Sequence, residues 1–334
     1  YYTYSYTATN SGNISKYFAV SGLAPRLVVE FRAKAGPGSF IGVGVKIKST
    51  DVNALWIIID SYNSVRKIEY AYPGGNTTIY SSSGATADSW YYERLIITGP
   101  SVTWYESTDG VNWTKVWHGR IDSTVDLRLG ANPIAGIAIT TGNWSGYSGS
   151  SQVDYVELSW FGGFGYRDTR KVTDKYGRLF VDSNGYSYLL ITLAGAYIPG
   201  AALGVIRSKN ITDPTTWELH KIILFKDADG NIYGHHAGWV IVDDAGNAHI
   251  WVSTWGTCDQ PYGTCSVNVI YLSMPVSQFT TPGVDIVSGY TTVTGANSFD
   301  PTVVFDGTYW WYAFSDYNYI NLYRCSSIPT STTG

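Results

Sequence analysis

Ser298–Asp316 reads SFDPTVVFDGTYWWYAFSD. An apolar segment, Thr302 to Phe305, runs into Asp306-Gly307, and an aromatic segment, Tyr309 to Phe314, returns from it. Asp-Gly tolerates the positive φ that a tight hairpin turn requires, and β-branched and aromatic residues suit a half-buried pleated surface. The stretch therefore predicts two antiparallel strands joined by a tight turn.

The same pattern occurs twice upstream. Leu179-Phe180-Val181-Asp182-Ser183-Asn184-Gly185 and Val240-Ile241-Val242-Asp243-Asp244-Ala245-Gly246 align with Val303-Val304-Phe305-Asp306-Gly307, a period of ~60 residues. Each turn is followed by an aromatic-rich strand (YSYLLI, AHIWVS, TYWWYAF) and a later strand ending in Ser (VIRS, IYLS, YRCS). Gly177, Gly238 and Pro301 take the same place before the first strand of each unit, which makes Tyr176 and Ala237 the counterparts of Asp300. Such units bury their aromatic faces against one another, the logic of a β-propeller blade.

These units resemble blades of the five-bladed propellers of family 43 and related furanoside- and xyloside-processing glycoside hydrolases. Phe299-Asp300-Pro301 before VVFDGTYWWYAFS matches their Asp-Pro blade start, and GVIRSKNITDPTTWELH resembles a blade's closing strand and turn. Residues 176–334 provide about three blades, whereas a closed ring usually needs at least four. Either the ring is completed by further chain or by neighbouring copies, or the hairpins build something else.

Upstream, RLVVEFRAK, FIGVGVKIK, ALWIIIDSY, RKIEYAY, ERLIITG, VTWYES, VNWTKVW, AGIAITTG and VDYVELSW alternate or form short apolar runs between Gly, Pro, Asn and Ser. About ten short strands at this spacing predict a two-sheet jelly roll over residues 21–162, preceded by an arm or edge strand at 1–20. WYYERLIITGPSVTWYESTDGVNWTKVW and VDYVELSW resemble concanavalin/laminin-G-like jelly-roll domains, a likeness that implies recognition of glycan or protein, or calcium-dependent recognition. Ser107 to Trp113 is similar to the Asp-box turn of sialidase propellers but one residue short, and reads as a hairpin tip. FGGFGYRDTRKVTD concentrates Gly and then charge, so residues 163–175 read as the linker between the two domains. The fold class expected is all-β, a jelly-roll sandwich followed by propeller-like blades.

Composition narrows the function. Charged residues make up 14% and aromatics 16% of the 334 residues, with a net charge of -4. No basic stripe marks a nucleic-acid binder. No apolar run approaches the ~20 residues of a membrane span. Sequons at Asn13, Asn76, Asn112, Asn143 and Asn210 predict glycosylation of an exported chain, and a start at Tyr1 suits a processed product or a fragment. Cys258 and Cys265 bracket a Pro/Gly loop and could close a disulfide or remain free thiols; Cys325 reads as a buried thiol.

Hydrolysis in the resembled class needs two carboxyl groups at the scissile bond. Asp300 alone occupies a recognised position, so it is the candidate catalytic residue, and the acidic set is incomplete. Glu218 reads as structural, and Asp182, Asp243 and Asp306 recur because turns favour Asp. His235, His236, Trp239 and Trp255 could line a sugar subsite or fill space between blades. Asp227, Asp229 and Asn231 resemble the start of a calcium loop, but the Gly falls too early and no bidentate Glu follows. No cofactor motif occurs, and no metal site is assigned, although calcium stays open through the jelly-roll resemblance.

The expected function is glycan recognition by a secreted or surface-displayed protein, with glycan or polysaccharide as partner. The alternatives are a structural subunit of a filament, surface layer or virion fibre assembled through edge strands, and an active glycoside hydrolase.

Overall fold

The computed structural model describes residues 2–8, 14–20, 23–48, 53–159, 165–193, 200–258, 266–295 and 297–331. The chain divides into two compact units, Tyr1–Gly162 and Gly163–Gly334.

The first unit contains β1 (Tyr2–Ala8), β2 (Ile14–Ala19), β3 (Arg26–Lys34), β4 (Ser39–Ile47), β5 (Ala54–Asp60), β6 (Val65–Tyr72), β7 (Gly75–Ser83), β8 (Tyr91–Thr98), β9 (Ser101–Ser107), β10 (Thr114–Arg120), β11 (Ile134–Asn143) and β12 (Ser151–Ser159). They form two six-stranded antiparallel sheets, ordered β1-β12-β3-β8-β9-β10 and β2-β11-β4-β5-β6-β7. The segment 1–20 is thus no free arm: β1 edges one sheet against β12, and β2 edges the other against β11. Between the sheets, Val29 and Phe31 of β3 and Leu95 and Ile97 of β8 meet Val43 and Val45 of β4 and Leu55, Ile57 and Ile59 of β5. Each such buried side chain contributes about 1.5–3 kcal/mol. β5 is buried on both faces, because Trp56 and Ile58 on its other side pack with Ala54, Ala71 and Ala138. Within the wall, Glu93 is fully buried and accepts from Arg66 at 3.0 Å and from the Trp104 indole at 2.5 Å.

The second unit contains β13 (Tyr166–Lys171), β14 (Thr173–Asp174), β15 (Ser187–Leu193), β16 (Ala202–Ser208), β17 (Glu218–Lys226), β18 (Ile232–Tyr233), β19 (His236–Val242), β20 (Asn247–Ser253), β21 (Val269–Pro275), β22 (Gly283–Val287), β23 (Thr291–Thr292), β24 (Phe299–Phe305), β25 (Trp310–Ser315) and β26 (Ile320–Cys325). Three sheets result, β13-β15-β16-β17-β18, β14-β19-β20-β21-β23 and β24-β25-β26, with β22 pairing β17 in parallel. Alternation along β19 explains their stacking. Val240 and Val242 join Tyr188, Leu190, Leu203 and Phe225 of the first sheet, while Ile241 joins Val303, Trp310, Tyr312 and Phe314 of the third. The far face of the third sheet exposes Val304, Ile320 and Leu322 by 48%, 81% and 62%. The chain is therefore all-β, a jelly-roll sandwich followed by propeller-like blades.

Two boundaries differ from the sequence reading. Residues 166–171 are not linker but the outermost strand of the first sheet, all exposed, so their polar sequence looked like a connection. Leu179 to Asp182 is not the matching first strand: only the isolated bridges Thr173–Leu179 and Val181–Ser187 form there.

The recurring Asp residues are turn residues. Asp182 accepts the amides of Asn184 and Tyr186, Asp243 that of Asn247, and Asp306 those of Thr308 and Tyr309. The aromatic strand that follows then donates to the same carboxylate, from the Tyr188 hydroxyl and the Trp311 indole at 2.7 Å each, and His249 Nε2 lies 2.9 Å from Asp243.

Candidate functional site

The site is built by one backbone device used three times. β13, β19 and β24 each carry a bulge, between Arg167 and Arg170, His236 and Trp239, and Phe299 and Thr302. The first of the two residues inside each bulge is left-handed: Asp168 at φ 53°, Ala237 at φ 54° and Asp300 at φ 55°. The residue before each pairs with a hydroxyl residue at or near the end of the neighbouring strand, Arg167 with Thr192, His236 with Ser253 and Phe299 with Ser315. Two of these hydroxyls also seat the next sheet, since Ala237 N donates to Thr192 Oγ1 at 3.0 Å and Asp300 N to Ser253 Oγ at 2.9 Å. Bulges of this kind re-aim side chains at sheet edges.

This register corrects the alignment of the repeats. The counterpart of Asp300 in the first sheet is Asp168, and Tyr176 sits instead in the turn capped by Asp174. A second carboxyl group thus stands at the position where sequence comparison found a tyrosine. Asp168 pairs with Arg167 at 3.6 Å. The Asp300 carboxyl is pushed above the usual carboxylate range, first by desolvation and then by the charge of Asp168, with Arg170 and Arg167 opposing. Like charges that share a site disfavour double ionisation. The signal that could have found Asp168 is the polar run Arg167-Asp168-Thr169-Arg170, which suits an exposed inner strand as well as a linker.

From Phe299, the residue before Asp300 in the chain, runs a line of rings. His236 stacks on Trp255 at 6.2 Å and 14°, Trp255 meets Phe299 at 5.4 Å, and Phe299 meets Tyr317 at 4.6 Å. Trp255 is half-buried, and Tyr317 at the open end is 63% exposed. Carboxyl groups beside aromatic faces can bind sugar hydroxyls while ring C-H faces stack.

The four residues expected at one sugar subsite separate. His236 and Trp255 lie together, but His235 points into a pocket of Phe225, Tyr233 and Tyr290, where burial lowers its imidazole to about 3. His235 lies just before β19, outside its pleat, and so is free to turn into that pocket. Trp239 lines a separate cavity of about 510 Å³ with Arg170, Lys175, Tyr176 and Phe305.

Glu218 pairs with Arg207 at 2.7 Å. Asp227 accepts the amides of Asp229 and Asn231 within a turn, and among the described residues no group of three His, Cys, Asp or Glu side chains gathers for a metal. Cys258 is disulfide-bonded, Cys325 is a buried free thiol, and Cys265 lies outside the described residues. Of the sequons, Asn76, Asn112 and Asn210 are exposed, Asn143 is half-buried, and Asn13 lies outside the described residues. No helix among the described residues is long and apolar enough to cross a membrane.

No protein-family model matches the chain, and no curated protein does. Among solved structures it is similar to the exoplasmic/lumenal domain of VIP36 in a Ca2+/Man-bound form, with 10% identity and a TM-score of 0.37 over 48% of this chain and 82% of that one. It is also similar to the carbohydrate-binding module CBM66 from Bacillus subtilis, with 9% identity and a TM-score of 0.31 over 47% of this chain and 94% of that one. A third similarity is to the GH43 BlXynB protein from Bacillus licheniformis, with 13% identity and a TM-score of 0.31 over 41% of this chain and 28% of that one.

Proposed function

We propose that the chain is a secreted or surface-displayed protein that recognises glycan. The observation that carries this reading is the pair of bulge carboxyls, Asp168 and Asp300, whose charges interact, together with the line of rings His236, Trp255, Phe299 and Tyr317 that includes the residue before Asp300. The carboxyls offer hydrogen-bond acceptors for hydroxyls, and the exposed end of the ring line offers a stacking face. The disulfide at Cys258 and the exposed sequons favour an oxidising compartment outside the cytosol.

Polysaccharide pull-down and a glycan array test it, with Asp300→Asn and Trp255→Ala alongside the unaltered chain. Asn tolerates the left-handed backbone at position 300, so loss of binding in Asp300→Asn reports on the carboxyl group. Retention of no glycan by the unaltered chain would overturn the proposal.

A second reading is hydrolysis, favoured by an Asp300 carboxyl that burial and the charge of Asp168 raise. Asp300 would protonate the departing glycosidic oxygen, and Asp168 would take a proton from the attacking water. Release of 4-nitrophenol from pentoside and hexoside substrates checks it, and turnover unaffected by Asp300→Asn would refute the assignment.

A further inference from the structure

The first unit has a cleft of about 350 Å³ on the face of the β2-β11-β4-β5-β6-β7 sheet turned away from the main core. Cross-strand register sets its floor. Tyr17, Ala138, Gly44, Trp56 and Glu69 stand abreast on successive strands, and Thr140, Gly42, Ile58 and Lys67 form the next row. The glycines let the neighbouring side chains lie down across the sheet: a Cβ on Gly42 would come 2.3 Å from Ile58 Cδ1, and one on Gly44 2.8 Å from Trp56 Cβ.

Two buried polar groups in this floor are not used up by the protein. Trp56 is 6% exposed, and among the described residues its indole Nε1 has no hydrogen-bond partner. A buried donor left unpaired costs about 1–3 kcal/mol, and native structures leave few of them. Glu69, 4% exposed, pairs with Lys67, whose ammonium lies 2.5 Å from its carboxylate. A carboxylate has further acceptor sites and an ammonium has three donors, so both retain capacity for a ligand. The rim supplies flat, fixed faces. Trp144 is 41% exposed, donates its indole N-H to Asp60 at 3.1 Å and stacks on Tyr62 at 5.5 Å. Tyr72, 39% exposed, stacks on Tyr70 at 5.7 Å.

We propose that this cleft is a second saccharide subsite, separate from the bulge carboxyls, that takes a neutral sugar unit of an oligosaccharide. One hydroxyl accepts from Trp56 Nε1 and donates to Glu69, its neighbour accepts from Lys67, and the ring's C-H face lies on Trp144 or Tyr72. The cleft is lined by the Glu69 and Asp60 carboxylates, and Lys67 is already paired with Glu69, which selects against a uronate or sulfate. The subsite rests on the glycan-recognition reading for its ligand class. Asn76 also lines the cleft and begins an Asn-Thr-Thr sequon, so attached sugar would stand at its mouth.

The test uses the full chain, unglycosylated and labelled with 15N at the tryptophan indoles, titrated with millimolar cellohexaose, xylohexaose, mannohexaose and maltohexaose. The expected result is that at least one sugar moves the Trp56 indole resonance. Trp56→Phe, which keeps a ring but removes the donor, and Glu69→Gln, which keeps the shape, should each weaken that sugar by about tenfold while thermal melting stays near that of the parent. Movement of the Trp255 resonance without that of Trp56 would overturn the cleft and leave glycan recognition by the second unit standing. Silence of both resonances with all four sugars would overturn both.

Discussion

Lowering the pH from 7 to 5 should stabilise the first unit and destabilise the second. In the first, desolvation lifts the Glu93 carboxyl from an ordinary 4.5 to about 7, with Arg66 and the Trp104 indole opposing. A carboxyl that binds its proton more tightly when folded favours folding at low pH, and the gain fades as pH rises from 4.5 through 7. Between pH 7 and pH 5 those two values give about 2 kcal/mol in favour of the folded unit. In the second, burial lowers the His235 imidazole from 6.5 to about 3. The unfolded ring takes up a proton below 6.5 while the folded one stays neutral, so stability is full above that pH and lost as pH falls towards 3. The same interval costs this unit about 2 kcal/mol. Native-state hydrogen exchange read by mass spectrometry separates the two, because peptides from β3 and β8 report on one core and peptides from β15 and β20 on the other. Glu93→Gln should reduce the stabilisation of the first unit alone, where His118, lowered by burial, works the other way, and His235→Phe should reduce the loss in the second alone, where His220 is lowered in the same direction. A parallel response in both units that survives both substitutions would refute the reasoning.

Other consequences are open to direct measurement. Ala237 is a non-glycine residue at φ 54°, so Ala237→Gly should raise the stability of the second unit by about 1 kcal/mol in urea denaturation. Asp243→Ala removes the acceptor of Asn247 N and of His249 and should lower it by about 1–2 kcal/mol. A Cβ at Gly44 would come 2.1 Å from Leu55 O, which is backbone and cannot yield; Gly44→Ala should destabilise the first unit by about 1–3 kcal/mol in thermal melts. Reduction of the disulfide at Cys258 should lower the melting temperature of the second unit, an effect on the order of 2–4 kcal/mol.

Most strands were legible in the sequence because two-residue alternation and Gly, Asn and Pro punctuation are local signals. β3, β4, β5, β6, β8 and β9 fall close to where their apolar runs predict them. β7, GNTTIYSSS, carries no such signal; its strand state comes from pairing with β6, as Ile68 opposite Tyr80 and Ala71 opposite Asn76 show. The repeat was legible through its turns, since each Asp caps a hairpin for a purely local reason. The site was half legible. Asp300 stood out beside proline, whereas Asp168 lies in an exposed strand without aliphatic residues, and only the register of β13 on β15 reveals that the two are equivalent. His235 precedes β19, and the aromatic pocket that claims it is assembled from β17, β18 and the segment holding Tyr290, which sequence spacing does not bring together.

The hydroxyl-to-amide contacts that seat one sheet of the second unit on the next have a direction. Thr192 receives Ala237 and Ser253 receives Asp300, so the first and second sheets receive on the strand next to their bulged strand, and the second and third donate from the bulged strand itself. Ser315 holds the corresponding place on the third sheet, next to the face that exposes Val304, Ile320 and Leu322. A junction of this kind is not its own mirror partner. Two copies meeting through it cannot be related by a two-fold axis; they add head to tail, and the rotation per step alone decides whether such a series closes into a ring or runs on as a fibre.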